Sequence, residues 1–407
     1  MSTRVTGVPA WVGDDRLARA AWSRLVEPPD LVAAAVLQVM GASEAVWHVV
    51  TGSPLPSSGL SRQRLDAALA RWRVRLPGLD PERDVRAVGR MGGRVVVPSD
   101  DEWPSRLGDL GHEVPSCLWV RGSLRLGPAV ESSVSIVGTR SPTAYGDHMA
   151  GDLACGVSDR GLSVVSGAAF GIDGKAHRGA LAVAGTTVAV LAGGVDVPYP
   201  RSHDKLIRRI AEEGLVVSEQ APGASPMKHR FLERNRLIAA LTQATVVVEA
   251  AWRSGAIATA NRAAGLNRPL GAVPGPVTSP VSAGCHRLIR ESAAVCVTDA
   301  ADLAELAQRI GSHLPEPPPT PAADHDDLDP VACRVLEALP VRSGRAVDSL
   351  ARVAGLTGPE VSAALGRLDL AGLALGSAAT GGTVWRRAPT RAVDRLRPQP
   401  PGTLPVG

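Results

Sequence analysis

The sequence predicts an α/β protein built on an extended Rossmann-like, doubly wound and mostly parallel sheet. A helical domain precedes this sheet and a winged-helix domain follows it. Three observations lead to this fold class. Short apolar runs recur at Val95–Val97, Leu118–Val120, Val134–Val137, Leu162–Val165, Val188–Leu191, Leu215–Val217, Val246–Val248, Leu270–Val273 and Val295–Val297, and helix-length segments separate most of them from the third onward. Apart from Ser135 and Ser163 these runs are apolar, as strands covered on both faces must be, and do not alternate with polar residues. On either side of this region the apolar spacing becomes that of helices.

Before the sheet, Asp14 to about Leu76 reads as helical, because Leu17, Ala20, Ala21 and Leu25, then Leu31, Ala34 and Ala35, recur at helical spacing. Ser61 to Leu76 places Leu65, Leu69, Trp72 and Leu76 on one face. Arg62, Arg64, Arg71, Arg73 and Arg75 fall largely elsewhere and read as a solvated helix face. After the sheet, Pro315, Pro317, Pro318, Pro319 and Pro321 mark residues 312–330 as a stiff, extended linker. Val331–Leu339, Val347–Ala354 and Pro359–Ala371 then read as three helices, with Pro359 at a first helical position and Gly372 as a stop. Leu373–Leu375 and Thr383–Trp385 form a candidate hairpin, and the tail from Ala388 lacks a core-forming pattern. The expected division is residues 1–80, 81–311, 312–330, 331–388 and 389–407.

Composition narrows the function class. The chain has 407 residues, 44% of them hydrophobic, and a formal charge of +4. That mild basicity is compatible with a nucleic-acid partner without demonstrating one. It is almost all arginine, as a genome rich in G and C would favour; the only lysines are Lys175, Lys205 and Lys228. Cys117, Cys155, Cys285, Cys296 and Cys333 show no metal-binding spacing, which fits a reducing cytosol and no metal or other cofactor. No uninterrupted apolar stretch reaches the ~18 residues of a membrane span, and Met1 to Gly13 lacks the apolar segment of a signal peptide.

Five segments carry candidate chemistry, each following an apolar run. The first, Gly138-Thr-Arg-Ser-Pro142, combines a glycine that admits a ligand to the backbone with Arg140, a forked donor suited to phosphate; an ordinary strand–helix turn explains it equally well. The second runs from Ser166 and Gly167 through Phe170 and Gly171 to Asp173, Lys175 and His177. Its small residues also permit close approach by an anion. Asp173 and His177 allow an acid–base pair, but helix capping and a core hydrogen bond are the preferred reading. In the third, Gly193 to Arg201, Asp196 suits either a ribose hydroxyl or a turn, and Arg201 is a candidate phosphate contact. The fourth, Lys228-His-Arg-Phe-Leu-Glu-Arg-Asn-Arg236, sets Phe231, one of two phenylalanines in the chain, among cations. An aromatic among cations is how unpaired bases are stacked while their phosphates are gripped. On a helix Lys228, Phe231 and Asn235 share one face, although Ser225-Pro226 could start that helix earlier. The fifth, Glu249 to Gly255 with Thr259 and Asn261, contains Ser254 as either a helix cap or a ligand contact. Phosphate-loop, nucleophile-elbow, zinc-protease and G-x-G-x-x-G patterns are missing, which leaves a dehydrogenase little support.

In this order the segments resemble the DNA-processing protein A (DprA/Smf) family. The resemblance covers about Arg94 to Leu306. It rests on Val137-Gly-Thr-Arg140, Ser166-Gly-x-Ala-x-Gly-Ile-Asp173 with Ala176-His177 and Ala180-Leu181, and Asp196-x-x-Tyr-Pro200. It continues through Ser218-Glu219, Phe231-x-x-Arg-Asn-Arg236, Glu249-Ala250, Ser254-Gly255, Thr259-Ala260 and Pro274-Gly275. Leu232 stands where the family usually has proline, Thr139 where serine is common, and Ala256-Ile257 where Ser-Leu is usual.

The resemblance implies a cytosolic protein that binds single-stranded DNA, protects incoming strands during natural transformation and loads RecA recombinase onto them. It implies no turnover chemistry and a Rossmann domain that commonly dimerises. It assigns Arg140, Lys228 and Phe231 to phosphate and base contacts and Gly138 to shaping the first loop. Ser166, Gly167, Lys175, Arg201, Arg234, Asn235 and Arg236 complete the expected DNA-binding set. It also implies a helical domain of SAM or helix-hairpin-helix type over residues 1–80. Two other functions compete. The core is similar to that of phosphoribohydrolases acting on nucleoside monophosphates, but their Gly-Gly-x-Gly-Thr stretch and glutamate are replaced by Glu249-Ala-Ala-Trp-Arg-Ser-Gly255. A transcription regulator would read a major groove with Pro359–Ala371, where Arg367 is offset by Glu360 and Asp369.

Overall fold

Apolar strands with no polar face must be covered on both sides, and the chain meets this demand with helices before, between and after them. The computed structural model describes residues 8–56, 59–291, 294–307, 328–379 and 382–388. They form two compact units, Met1–Pro315 and Glu316–Gly407. Most of the expected linker and the tail from 389 lie outside the described residues.

The first unit opens with α1 (Asp15–Leu25), α2 (Leu31–Thr51), α3 (Arg62–Arg73) and α4 (Pro81–Gly89). Asp14 and Asp30 accept the first free N–H groups of α1 and α2, the capping expected of aspartate. The expected apolar face of α3 is buried at Leu65, Leu69 and Trp72. Trp72 meets Trp22 edge-on at 5.0 Å. Arg62 and Arg71 of α3 are held in ion pairs with Asp66 and Asp30, and Arg75 just beyond it pairs with Glu27. By length and composition α2 could cross a bilayer, but Ala33, Val36, Ala45, Val46 and Val49 are buried in the helical core and Gly41 interrupts the helix. Arg16 binds Asp100 and Trp119 binds Ser23 at 3.0 Å, joining these helices to the sheet.

Each predicted strand run overlaps an observed strand. They are β1 (Gly93–Val96), β2 (Leu118–Arg121), β3 (Ser133–Val137), β4 (Ser163–Ser166) and β5 (Thr187–Val190). Next come β6 (Leu215–Ser218), β7 (Ala244–Val247), β8 (Leu270–Ala272) and β9 (Val295–Cys296). They pair in the order β1-β2-β6-β5-β4-β3-β7-β8-β9. β2 runs antiparallel to β1 and to β6, and every other ladder is parallel. From β3 the chain winds outward through β4, β5 and β6, then returns to place β7 on the opposite side of β3. The reversal between β3 and β7 opens a crevice at the carboxyl ends of the strands. Buried hydroxyls within the strands are satisfied: Ser135 donates to Ile238 O at 2.9 Å and Ser166 to Ile136 O at 2.7 Å.

Helices α5 (Leu126–Glu131), α6 (Ala144–Asp159), α7 (Ile172–Ala182), α8 (Asp204–Glu213), α9 (Lys228–Leu241), α10 (Gly255–Gly265), α11 (Ala283–Glu291) and α12 (Ala300–Ala307) cover the sheet. In the second unit α13 (Pro330–Ala338), α14 (Val347–Ala354) and α15 (Gly358–Leu370) pack around Val335, Leu350, Val361 and Leu365. The expected hairpin is present as β11 (Ala374–Ala379) and β12 (Gly382–Arg387). A short strand unforeseen in the sequence, β10 (Arg345–Ala346), pairs with β12. This is a winged helix. Arg367 on α15 is engaged by Asp329 at 3.1 Å.

His177 is a core residue, as preferred from sequence. Its ring is fully buried, and Nδ1 lies 2.7 Å from Thr187 Oγ1, whose own proton goes to Val164 O. Nδ1 therefore donates, which fixes the neutral tautomer. Burial, reinforced by His203 and Arg234, lowers its pKa to about 3. A depressed folded value means stability that is full above the unfolded pKa of about 6.5 and is lost as pH falls toward 3. Urea midpoints measured across that window should fall with pH, and His177→Asn should flatten the dependence.

Candidate nucleic-acid interface

The crevice at the switch point is a groove of about 630 Å³. It is walled by the loop after β3, the loop after β4, the start of α9 and the start of α10. Gly138 begins the first wall; a side chain there would collide with Ile172 and lie about 3.0 Å from Glu249 O. Thr139 N donates to Glu249 O at 2.7 Å, and the Glu249 carboxylate accepts from Thr143 N and Oγ1 at 2.9 and 2.6 Å. The end of β7 thus fixes the loop that projects Arg140.

The helix start left open by the sequence is settled: α9 begins at Lys228 with Met227 as its cap. Lys228, Phe231 and Asn235 all line the groove, as their shared face requires. The Arg140 guanidinium lies over the Phe231 ring at 5.1 Å, and Tyr199 meets the same ring at 5.4 Å with planes inclined by 55°. Arg140 and Lys228 are exposed and make no ion pair among the described residues. Among the lining residues Asp173 is the one acid, and it is buried. The open charge of the groove is therefore positive, set around an aromatic pair.

Several expected DNA contacts prove to be internal. Ser166 is fully buried and its hydroxyl is spent on Ile136. Gly167 is buried because its missing side chain leaves room for the Arg234 guanidinium. Arg234 donates to Val190 O at 2.6 Å beside Asp173. Burial lowers its pKa to about 10 against the pull of Asp173, so it stays charged at neutral pH. Burial in turn raises that of Asp173, against the pull of Arg234. Arg236 is fully buried in a two-pronged ion pair with Glu219 at 2.8 and 2.7 Å. Lys175 reaches Asp147 at 3.3 Å and is no part of the groove lining. Local spacing cannot separate the buried Arg234 and Arg236, or the paired but half-exposed Lys175, from cations left open to solvent; neighbours distant in the chain decide.

Other expectations resolve on geometry. Asp173 does not cap its own helix but accepts from Gly167 N and Ala169 N of the preceding loop, at 3.1 and 3.4 Å. Asp196 fixes a turn through Gly223 N. Ser254 caps α10 and also lines the groove. Asn235 reaches Gly255 O at 3.4 Å, linking α9 to α10. Arg201 is exposed just after Tyr199 but does not line the groove. Two contributors were missed. Tyr199 is one of only two tyrosines, a scarcity that could have marked it. Glu27 had no local signal, because it binds Arg230 and His229 from across the chain. Burial pushes its carboxyl up, but bonds from Arg230, His229 and Arg75 prevail and bring its pKa down to about 2. No group of histidine, cysteine and carboxylate side chains able to hold a metal occurs among the described residues.

Comparisons with known proteins bear on the family and the fold. The family described as DNA recombination-mediator protein A matches residues 94–308, and the DprA winged helix domain matches residues 315–377. A candidate DNA processing protein DprA of Mycobacterium tuberculosis is 44% identical over 371 residues, covering 87% of this chain and 91% of the relative. Protein Smf of Escherichia coli is 37% identical over 285 residues, 68% of this chain and 74% of its own. The X-ray structure of DNA processing protein A from Streptococcus pneumoniae matches with a TM-score of 0.58 at 29% identity, covering 72% of this chain and 96% of that one. The chain belongs to the DNA recombination-mediator protein A family.

Proposed function

We propose that the protein binds single-stranded DNA in this groove, with little sequence preference, and passes the strand to RecA recombinase. It protects incoming or exposed strands in DNA processing, recombination and natural transformation. It acts in the cytosol as a homodimer and without turnover chemistry. The observation that carries the reading is the pair of exposed cations, Arg140 and Lys228, which make no ion pair among the described residues, beside Phe231 and Tyr199. Phosphates suit the cations and splayed bases suit the rings. Family membership supports the recombinase and the dimer. The winged helix, with Arg367 engaged by Asp329, serves protein contact or auxiliary DNA binding in this reading.

Fluorescence anisotropy with labelled single- and double-stranded oligonucleotides over a salt series tests the proposal. A strong single-strand preference with a steep salt slope is expected; equal or absent binding overturns it. Free base released from nucleoside monophosphates would instead favour the phosphoribohydrolase reading. Arg140→Ala and Lys228→Ala should each weaken binding across all sequences and reduce the salt slope by about 0.7, one phosphate's worth on a single strand.

Phe231→Ala should cost about 1–3 kcal/mol of binding with little change in stability. Arg236→Leu should behave in the opposite way. Leaving Glu219 buried and unpaired costs about 3–5 kcal/mol of stability by urea unfolding. The fraction that stays folded should lose less DNA affinity than Phe231→Ala does.

A further inference from the structure

Trp252 is unlike the other tryptophans. All eight lie among the described residues, and it is the one that is exposed, at 49%. It sits at the carboxyl end of β7, two residues before Ser254, which lines the groove. Arg287 lies over its ring at 4.6 Å, and Arg253 beside it in sequence is exposed. Neither arginine makes an ion pair among the described residues.

The platform is held rigidly from below. Gly284 N donates to Ala250 O at 2.8 Å, and a side chain at Gly284 would press into the carbonyls of Ala250 and Ala251. Cys285 Sγ donates to Val247 O at 3.5 Å, and His286 Nε2 lies 2.9 Å from Gly275 O. These contacts seat the start of α11 against the end of β7, which brings Arg287 over one face of the indole one helical turn later. The remaining exposure belongs to an aromatic surface that is already oriented and flanked by unpaired positive charge. An indole with one face on a guanidinium can stack a base on the other, while the arginines take phosphate.

We propose that Trp252, with Arg253 and Arg287, is a second base-stacking station that extends the single-strand path from the groove past β7. This rests on the single-strand reading of the groove. The chemistry recognised is a nucleobase with its flanking phosphates, several nucleotides along the same strand.

The test is anisotropy with labelled oligothymidylates of increasing length, on the full chain, comparing wild type with Trp252→Ala, Trp252→Phe and Phe231→Ala. Trp252→Ala should match wild type on the shortest oligonucleotides that bind. It should weaken binding by about tenfold on longer ones, as loss of one stacked base does. Trp252→Phe should retain the long-strand affinity. Long unlabelled oligonucleotides should quench intrinsic fluorescence in wild type, and Trp252→Phe should abolish most of that quenching. Phe231→Ala should weaken binding at every length. If wild type binds and Phe231→Ala weakens it, while Trp252→Ala equals wild type at every length, the station is refuted and the groove stands. Loss of self-association in Trp252→Ala with unchanged DNA affinity would also refute it, in favour of a protein contact. If wild type binds no oligonucleotide, the groove reading fails first and takes this inference with it.

Discussion

Helix α9 can aim Lys228 and Phe231 at the crevice only because the arginines one and two turns further on are consumed inside the protein. Arg234 anchors the helix to the carboxyl end of β5 through Val190 O, in space left by Gly167. Arg236 locks it to the end of β6 through Glu219. Buried guanidinium groups must find partners or pay heavy desolvation, so these two bonds tolerate little movement of the helix. The exposed first turn inherits that fixed position. Arg140 and Phe231 can then keep a 5.1 Å cation–ring distance across two separate elements.

The same sorting shapes the electrostatics. Of the cations in the segment from Lys228 to Arg236, Arg230 is bound by Glu27, and Arg234 and Arg236 are internal. Lys228 alone of the fixed charges remains for a ligand among them. A dense basic stretch in sequence thus becomes a sparse, placed arrangement in space. The groove also excludes open negative charge, since Asp173 is buried and occupied with the loop amides. Few unpaired cations beside aromatic rings suit tracking a backbone and stacking bases better than polarising a small substrate.

The N-terminal helices contribute beyond their own core. Glu27, between α1 and α2, receives His229 and Arg230 from the first turn of α9 and Arg75 from beyond α3. This cluster restrains the ligand-facing end of α9 just as Arg236 restrains its middle. The first unit is therefore built as one body, in which helices distant in sequence brace the groove.

The sequence by itself determined the sheet. Each strand run was legible because strands buried on both faces cannot carry polar residues without a partner, and the shared face of Lys228, Phe231 and Asn235 followed from helical geometry alone. The place of Pro359 at the start of α15 was likewise local chemistry. Tertiary structure decided which charges face outward. Arg234 and Arg236 share a motif with Phe231, yet strands from elsewhere in the chain cover them. Lys175 looks like a loop cation until α6 supplies Asp147. Ser166 looks like a ligand contact until β3 supplies a carbonyl. Only tertiary contacts paired Arg140 with Phe231, joined Tyr199 to them, and set Arg287 over Trp252. Burial and ion pairing depend on neighbours distant along the chain, and local spacing carries no record of them.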